Sequence, residues 1–411
     1  MSQMATTTGL SARVGQGEIA ESGILFPPQV PGKDCGRNVR ALASPERLTE
    51  LWLTDALRLQ HPHWPEVETF SCEPVTATDF DILVRLHLSY KNDTAEDKNL
   101  SHDEGRISAP VSILAKFSRP LPGPEWEEFV RQSLVREASA YQDLTNHYAC
   151  RIPGLLFAVT GQLNFNLLLE DCGGECFTSD NSPDEHLPEH EAVLHELAQL
   201  HGCFVRTSPA SAPRWQLRQR DHARFISHHY RRGVDALREV YAGWLAPEHF
   251  ELVEAFTCDV ADWHRYERHT LTLTHGDARF ENVLFQRDGS NCRASLASWK
   301  LVGVRNPMFD VACLLSNDLS YVARNHSEAT LLQRYCRVFE QSGTQYPLRE
   351  ASEDYRFHLF APLIFNICAA GFLQETLVQN ADLMKKTRRN CMAILDWDSM
   401  TLMAKRRNVI A

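Results

Sequence analysis

The sequence predicts an α+β protein of two lobes, a small β-rich one followed by a larger α-helical one. Three observations carry that prediction. Two segments in the first half place apolar residues at every second position, the period of a strand: Ile82, Val84, Leu86, Leu88 and Tyr90, then Val111, Ile113, Ala115 and Phe117. Beyond residue 188 the patterning is mostly helical. The 411-residue length exceeds one small core and suits two lobes with a terminal extension.

Residues 1–43 are rich in Ser, Thr, Gly and Pro and show no period, so they read as a flexible N-terminal extension. A first lobe is expected over 44–170. Ser44-Pro45-Glu46 has a hydroxyl N-cap, Pro at the first helical position and an acid in the first turn, which predicts a helix running to about Gln60. The polar stretch from Lys91 to Arg106 reads as a long hairpin loop between the two strands. Pro122 and Pro124 break the chain before a helix from about Glu125 to His147, and two more strands are expected at Leu155–Val159 and Phe165–Leu169. The Gly-, Ser-, Asp- and Pro-rich segment 171–188 reads as a hinge and linker. A second lobe over 189–411 is expected to carry helices at Glu189–Val205, Gln216–Gly233, Glu248–Arg268, Met308–Arg324, Ser327–Ser342, Glu353–Glu375 and Asp382–Met403. Pro362 should kink or split the next to last of these.

The composition is globular, with 43% hydrophobic and 23% charged residues. A net charge of −11 argues against a nucleic-acid or anionic-membrane surface. The 12 Cys are scattered without a CxxC pair, and Cys172–Cys176 lacks the partners of a zinc site, so reduced thiols are expected. The N-terminus shows no apolar signal core, and no apolar run approaches the roughly 18–20 residues of a membrane span. A cytoplasmic location is the expectation.

The segment Thr274-His-Gly-Asp-Ala-Arg-Phe-Glu-Asn282 puts a carboxylate and a carboxamide five positions apart, directly after an apolar run. Phosphoryl transfer uses such a pair: the Asp accepts the proton of an attacking hydroxyl, and the Asn oxygen helps hold Mg²⁺. Lys116 lies on the second strand, on the face opposite Ile113 and Ala115, where it could reach nucleotide phosphates. Glu137 in the following helix could hold that lysine in place. Each alone reads more readily as a solvated strand or helix residue; their order before a hinge and the His-Gly-Asp loop favours a site. Glu170-Asp171-Cys172 follows an apolar strand where a nucleotide cleft would have its hinge, or is an ordinary strand end.

The chain resembles the aminoglycoside phosphotransferase and choline kinase-like superfamily, and within it the ecdysteroid kinase-like (CHK kinase-like) branch. The resemblance rests on His275–Phe285, on Ser298-Trp-Lys-Leu-Val-Gly303 and on Asn306-Pro-Met-Phe-Asp310, and spans roughly residues 65–400. It implies a bilobal protein-kinase-like fold that phosphorylates a hydroxyl of a small molecule with ATP and Mg²⁺. It also implies Asp277 as catalytic base, Lys116 and Glu137 for phosphate, Glu170 and Cys172 at the hinge, and Asn282 on the metal. His275 and Asp310 become structural residues of the catalytic loop. The acceptor is expected to be hydrophobic; Phe357, Phe360, Phe365 and Phe372 stand in helices that would line its site, although core packing is the plainer reading of them.

Two departures stand against this. The family pattern has Asp-Trp-Gln where this chain has Ser298-Trp299-Lys300. A neutral hydroxyl replaces the main carboxylate ligand of the metal, and Mg²⁺ prefers anionic oxygen. The turn expected to cover the phosphates, Val75–Phe80, contains no glycine. Three functions therefore stay open: a phosphotransferase with a degenerate metal site, a pseudokinase or binding module, and a kinase-fold enzyme turned to other chemistry.

Overall fold

The computed structural model describes residues 23–24, 39–78, 81–91, 108–119, 124–145, 150–161, 164–176, 187–205, 222–266, 270–289, 291–372 and 380–410. Most of the expected N-terminal extension and hairpin loop lies outside these residues, as does the middle of the expected linker.

The first lobe is built on one antiparallel sheet. Its strands are β1 (Gly23–Ile24), β2 (Val67–Ala77), β3 (Asp81–Tyr90), β4 (Ser112–Ser118), β5 (Leu155–Thr160) and β6 (Phe165–Glu170), in the order β1-β5-β6-β4-β3-β2. Alternation divides its residues between two cores. Val84, Leu86, Ile113, Ala115 and Phe117 pack with Leu53 and Leu57 of helix α1 (Glu50–Gln60). On the other face Leu83, Leu114, Leu167 and Leu169 share the main core with Leu134, Ala138 and Tyr141 of α2 (Pro124–Thr145).

The second lobe is helical: α3 (Leu187–Cys203), α4 (Ala223–Glu239), α5 (Pro247–Phe256), α6 (Val260–Arg265), α7 (Met308–Asp318), α8 (Tyr321–Glu340), α9 (Leu348–His358), α10 (Phe360–Phe372), α11 (Asn380–Asp396) and α12 (Ser399–Ile410). Helices α4 and α10 approach so closely that a Cβ on Gly233 would sit 1.8 Å from the Ile367 carbonyl. Between α6 and α7 lies a small β insert. Strand β8 (Thr272–Thr274) pairs with β11 (Gly303–Arg305), and β9 (Val283–Asp288) with β10 (Asn291–Leu296). The short β7 (Glu175–Cys176), within the expected linker, joins this insert by pairing with β9.

Several elements differ from expectation for identifiable reasons. Strand β2 shows no alternation because this edge strand is largely exposed on both faces, and it takes in Val75–Ala77 of the expected phosphate-covering turn. The first helix begins at Thr49, whose hydroxyl accepts from the Trp52 amide at 3.1 Å, while Pro45–Arg47 forms a separate 3₁₀ turn. The helix expected to run to Arg324 stops at Asp318, because Ser320 caps a new one through the Ala323 amide. Glu248–Arg268 is two helices, α5 and α6. Asp382–Met403 also divides, at Asp398, which adopts a left-handed φ of 50°. The helix around Pro362 splits at Leu359, leaving the proline in the first turn of α10 where a missing N–H costs nothing.

Candidate active site

Strand β4 and helix α2 bring Lys116 and Glu137 together. The Lys116 ammonium donates to both Glu137 oxygens at 2.7 and 2.9 Å, and both side chains are buried. It also lies 3.0 Å from Asp81 Oδ2 and donates to Ser298 Oγ at 3.2 Å. Its donors are thus all committed. Burial works against the charge on Lys116, but Asp81 and Glu137 outweigh it and hold the pKa above the usual lysine range.

The segment between β8 and β9 forms a braced loop. Asp310, fully buried at the start of α7, accepts the His275 amide (2.6 Å) and the Gly276 amide (2.8 Å), and lies 3.0 Å from His201 Nε2. Gly276 adopts φ 87°, and a Cβ there would meet the Leu301 carbonyl at 2.0 Å. Only glycine fits this turn. His275 Nε2 bonds the Ala297 carbonyl at 2.7 Å, tying the loop to the end of β10. Asp318 accepts the Phe280 amide at 2.9 Å.

Inside this brace Asp277 meets Asn282, whose amide nitrogen donates to the Asp277 carbonyl and to Oδ2, both at 2.8 Å. Arg279 adds a fork, Nε to Oδ1 at 2.7 Å and Nη2 to Oδ2 at 2.9 Å. Burial disfavours the Asp277 charge, but the Arg279 guanidinium outweighs it and holds the carboxyl below its usual range. Next to it Glu281 accepts from Lys386 of α11 at 2.6 Å.

The second loop, after β10, carries Ser298 in a left-handed conformation (φ 66°, ψ 60°). Its amide donates to the Tyr141 hydroxyl at 3.0 Å. Lys300 follows and reaches across to the first lobe, donating to Asp81 Oδ2 at 2.7 Å. Asp81 is 4% exposed, and Thr78 donates to its other oxygen at 2.7 Å. Burial opposes the Asp81 charge, yet Lys116 and Lys300 hold it far below the usual carboxylate range.

Lys116, Asp81, Tyr141, Glu281, Asn282 and Ser298 line one cavity of about 30 Å³, with Leu83, Leu114, Pro153, Leu169 and Leu284 as its aliphatic wall. That is room for about two waters. Glu170 and Cys172 are not among the lining residues. Glu170 leans over Gly154, where an added Cβ would meet its carboxylate at 2.5 Å. Cys172 is partly buried, and burial raises its thiol pKa. Phe357 and Phe360 are core residues, Phe365 is partly buried against the same core, and the Phe372 side chain lies outside the description.

The donor set expected for Mg²⁺ is not assembled. Asn282 gives its amide nitrogen to Asp277 and keeps Oδ1 to accept, while Ser298 Oγ is neutral and accepts from Lys116, whose ammonium stands where a cation would be held. Among the described residues no three His, Cys, Asp or Glu side chains are grouped to hold a metal. Nor is any described helix long and apolar enough to cross a membrane.

Sequence reasoning missed Asp81 and the role of Arg279. The signal for Arg279 was available, since it stands two residues from Asp277. Asp81 had none: an acid at the start of a strand reads as a solvated end.

Comparison with known proteins adds three findings. The sequence profile of the ecdysteroid kinase-like family matches residues 124–346. No curated protein matches the chain. Among solved structures, the chain is similar to amicoumacin kinase in complex with AMP-PNP, Ca²⁺ and Ami, at 10% identity over 80% of this chain and 89% of that one, with a TM-score of 0.48. It is also similar to an aminoglycoside phosphotransferase from Streptomyces rimosus, at 16% identity over 71% and 91%, with a TM-score of 0.42.

Proposed function

The chain belongs to the ecdysteroid kinase-like family, and from that premise we propose that it is a phosphotransferase using ATP to phosphorylate a hydroxyl of a small molecule. One observation carries the reading: Lys116, held by buried Glu137, lines the same cavity as Asn282, with Asp277 hydrogen-bonded to that asparagine. A cation from one lobe and a carboxamide from the other thus share one cavity, with the acid bonded to that carboxamide standing beside it, the three groups that transfer between a phosphate and a hydroxyl uses. The aliphatic wall suits a nucleobase. A nucleotide far exceeds the present 30 Å³, so its binding must open the cavity.

In this reading Lys116 neutralises phosphate oxygens. By count, Asp277 Oδ1 keeps one lone-pair site after bonding Arg279, enough to orient a single acceptor hydroxyl. Its depressed pKa makes it a weak base, so orientation outweighs proton abstraction in its contribution. Arg279 sets that pKa and fixes the plane of the carboxylate. Because the residues present do not fit Mg²⁺, no step here passes through it. A small hydrophobic acceptor in the cytoplasm remains part of the proposal.

A second reading is a protein that binds a ligand in the cleft without transferring phosphate. Ser298 at the metal position and the Arg279 lock on Asp277 favour it. Calorimetry with ATP, plus ADP release across a panel of hydroxyl acceptors, separates the two. The phosphotransferase predicts nucleotide binding and an acceptor-dependent ADP release that Asp277→Asn abolishes. Binding without release from any acceptor would establish the second reading, and an absence of nucleotide binding would sink the first.

A further inference from the structure

Asp81 occupies a position that its own electrostatics make unusual. Its Oδ2 bridges two ammonium groups, Lys116 at 3.0 Å and Lys300 at 2.7 Å, one from each lobe. All three side chains are largely buried, with side-chain exposures of 5% for Asp81, 6% for Lys116 and 14% for Lys300. Two cations brought so close in a low-dielectric cleft repel strongly unless an anion lies between them. The carboxylate is therefore the counter-ion of a two-lysine clamp; Asp81 and Lys116 both line the cavity, and Lys300 meets it through Asp81 without lining it.

We propose that Lys116 and Lys300 form a binding site for the phosphates of a nucleoside di- or triphosphate that works without a divalent cation, and that Asp81 occupies it until a phosphate oxygen takes its place. The inference rests on the nucleotide-dependent reading of this cleft and specifies how the phosphates are held. Lys300 supplies near Ser298 the positive charge that a metal would otherwise bring. A phosphate oxygen offers the two ammonium groups the same acceptor with more negative charge, so exchange for Asp81 keeps every lysine donor satisfied. Glu137 stays on Lys116 throughout and keeps it aimed at the site. A metal ion entering this position would instead face two ammonium groups, with the one carboxylate between them already bonded to both.

Calorimetry of ATP in EDTA, on the full native chain and on Lys300→Gln and Asp81→Asn, tests this. The native chain is expected to bind ATP without metal. Lys300→Gln should weaken that binding about tenfold, the loss of one charge-assisted contact, and Asp81→Asn should tighten it about tenfold by removing the competing anion. A native chain that binds ATP only when Mg²⁺ is added, or an unchanged affinity in Lys300→Gln, overturns the clamp and leaves the phosphotransferase reading standing. Absence of binding in the native chain and both variants, with and without Mg²⁺, removes the nucleotide reading itself. Should Asp81→Asn fail to fold, Lys300→Gln decides alone, because Asp81 then keeps Lys116 as its partner.

Discussion

The two loops that meet in the cleft are held by the same device with opposite sign. The loop around Asp277 is braced by buried carboxylates, Asp310 and Asp318, which accept the backbone amides of His275, Gly276 and Phe280. The loop after Ser298 is braced by buried guanidiniums. Arg136 donates to the Lys300 carbonyl at 2.7 Å and Arg305 to the Leu301 carbonyl at 3.0 Å. Burial lowers both of their pKa values to about 10, reinforced at Arg136 by the nearby Arg305 charge and opposed at Arg305 by Asp310, and each leaves its Nε without a hydrogen-bond partner. What each loop presents has the sign of its brace: the anion-braced loop offers an acid and an amide, the cation-braced loop a lysine. The difference teaches that the sign of a brace and the sign of the charge it presents go together in this cleft. The first loop's carboxylates accept three backbone amides, while the second loop brings a lysine ammonium to the Asp81 carboxylate of the first lobe.

The largest expected effect comes from removing a brace on each side. Asp310→Ala deletes an acceptor of two amides and a histidine and leaves them buried without a partner, at a cost of about 3–5 kcal/mol. Arg136→Met removes one donor, and with it a desolvated charge already lowered in pKa, so about 1 kcal/mol is expected. Urea denaturation of both variants measures the ratio; equal losses would dissolve the contrast between the loops.

A smaller effect is pH-dependent. Burial raises the Asp318 carboxyl from 3.8 to about 7, with Lys386 acting in the opposite direction. A folded pKa above the unfolded one means that the folded state binds the proton more tightly. Stability is therefore highest below the unfolded value and falls as pH climbs from about 4 to about 7. The shift caps this term at about 4 kcal/mol, and relaxation around the site brings the expected loss to about 2. Asp318→Asn keeps an oxygen for the Phe280 amide and cannot ionise, so its melting temperature should hold across that window while the native chain's declines. Parallel declines would show that another group carries the dependence.

Much of this was legible because it was local. Asp277 and Asn282 stand five residues apart, and a single turn closes them onto each other. Lys116 and Glu137 could be paired by strand face and by the helix that follows. The clamp was not legible, because Asp81 lies 219 positions from Lys300 and their meeting depends on how the two lobes close. Periodicity reports which face a residue shares with its neighbours, and it carries no information about a charge arriving from the other lobe. The broken helices were missed for a different reason. Ser320 and Asp398 end helices inside otherwise continuous apolar patterns, and one cap or one left-handed residue outweighs a pattern that would fit either outcome.

The smallest effect separates the backbone of the second loop from its chemistry. Ser298 holds φ 66°, a conformation that costs most L residues about 1–2 kcal/mol and that Asn and Asp tolerate better than Ser. The chain accepts this elsewhere, at Asp398 with φ 50°. Ser298→Asn should therefore stabilise the protein by about 0.5 kcal/mol, since the amide oxygen can still accept from Lys116 and the strain is eased. A gain in the denaturation midpoint at unchanged slope would mean that the turn is still shaped for a carboxylate or carboxamide. The loop would then offer a carboxylate at this position a ready backbone, and on the proposed function Ser298→Asp should acquire Mg²⁺-dependent ATP binding in calorimetry. A loss of stability would mean that Lys300 and Arg136 have remodelled the turn around serine, and the carboxylate could not be restored by one substitution.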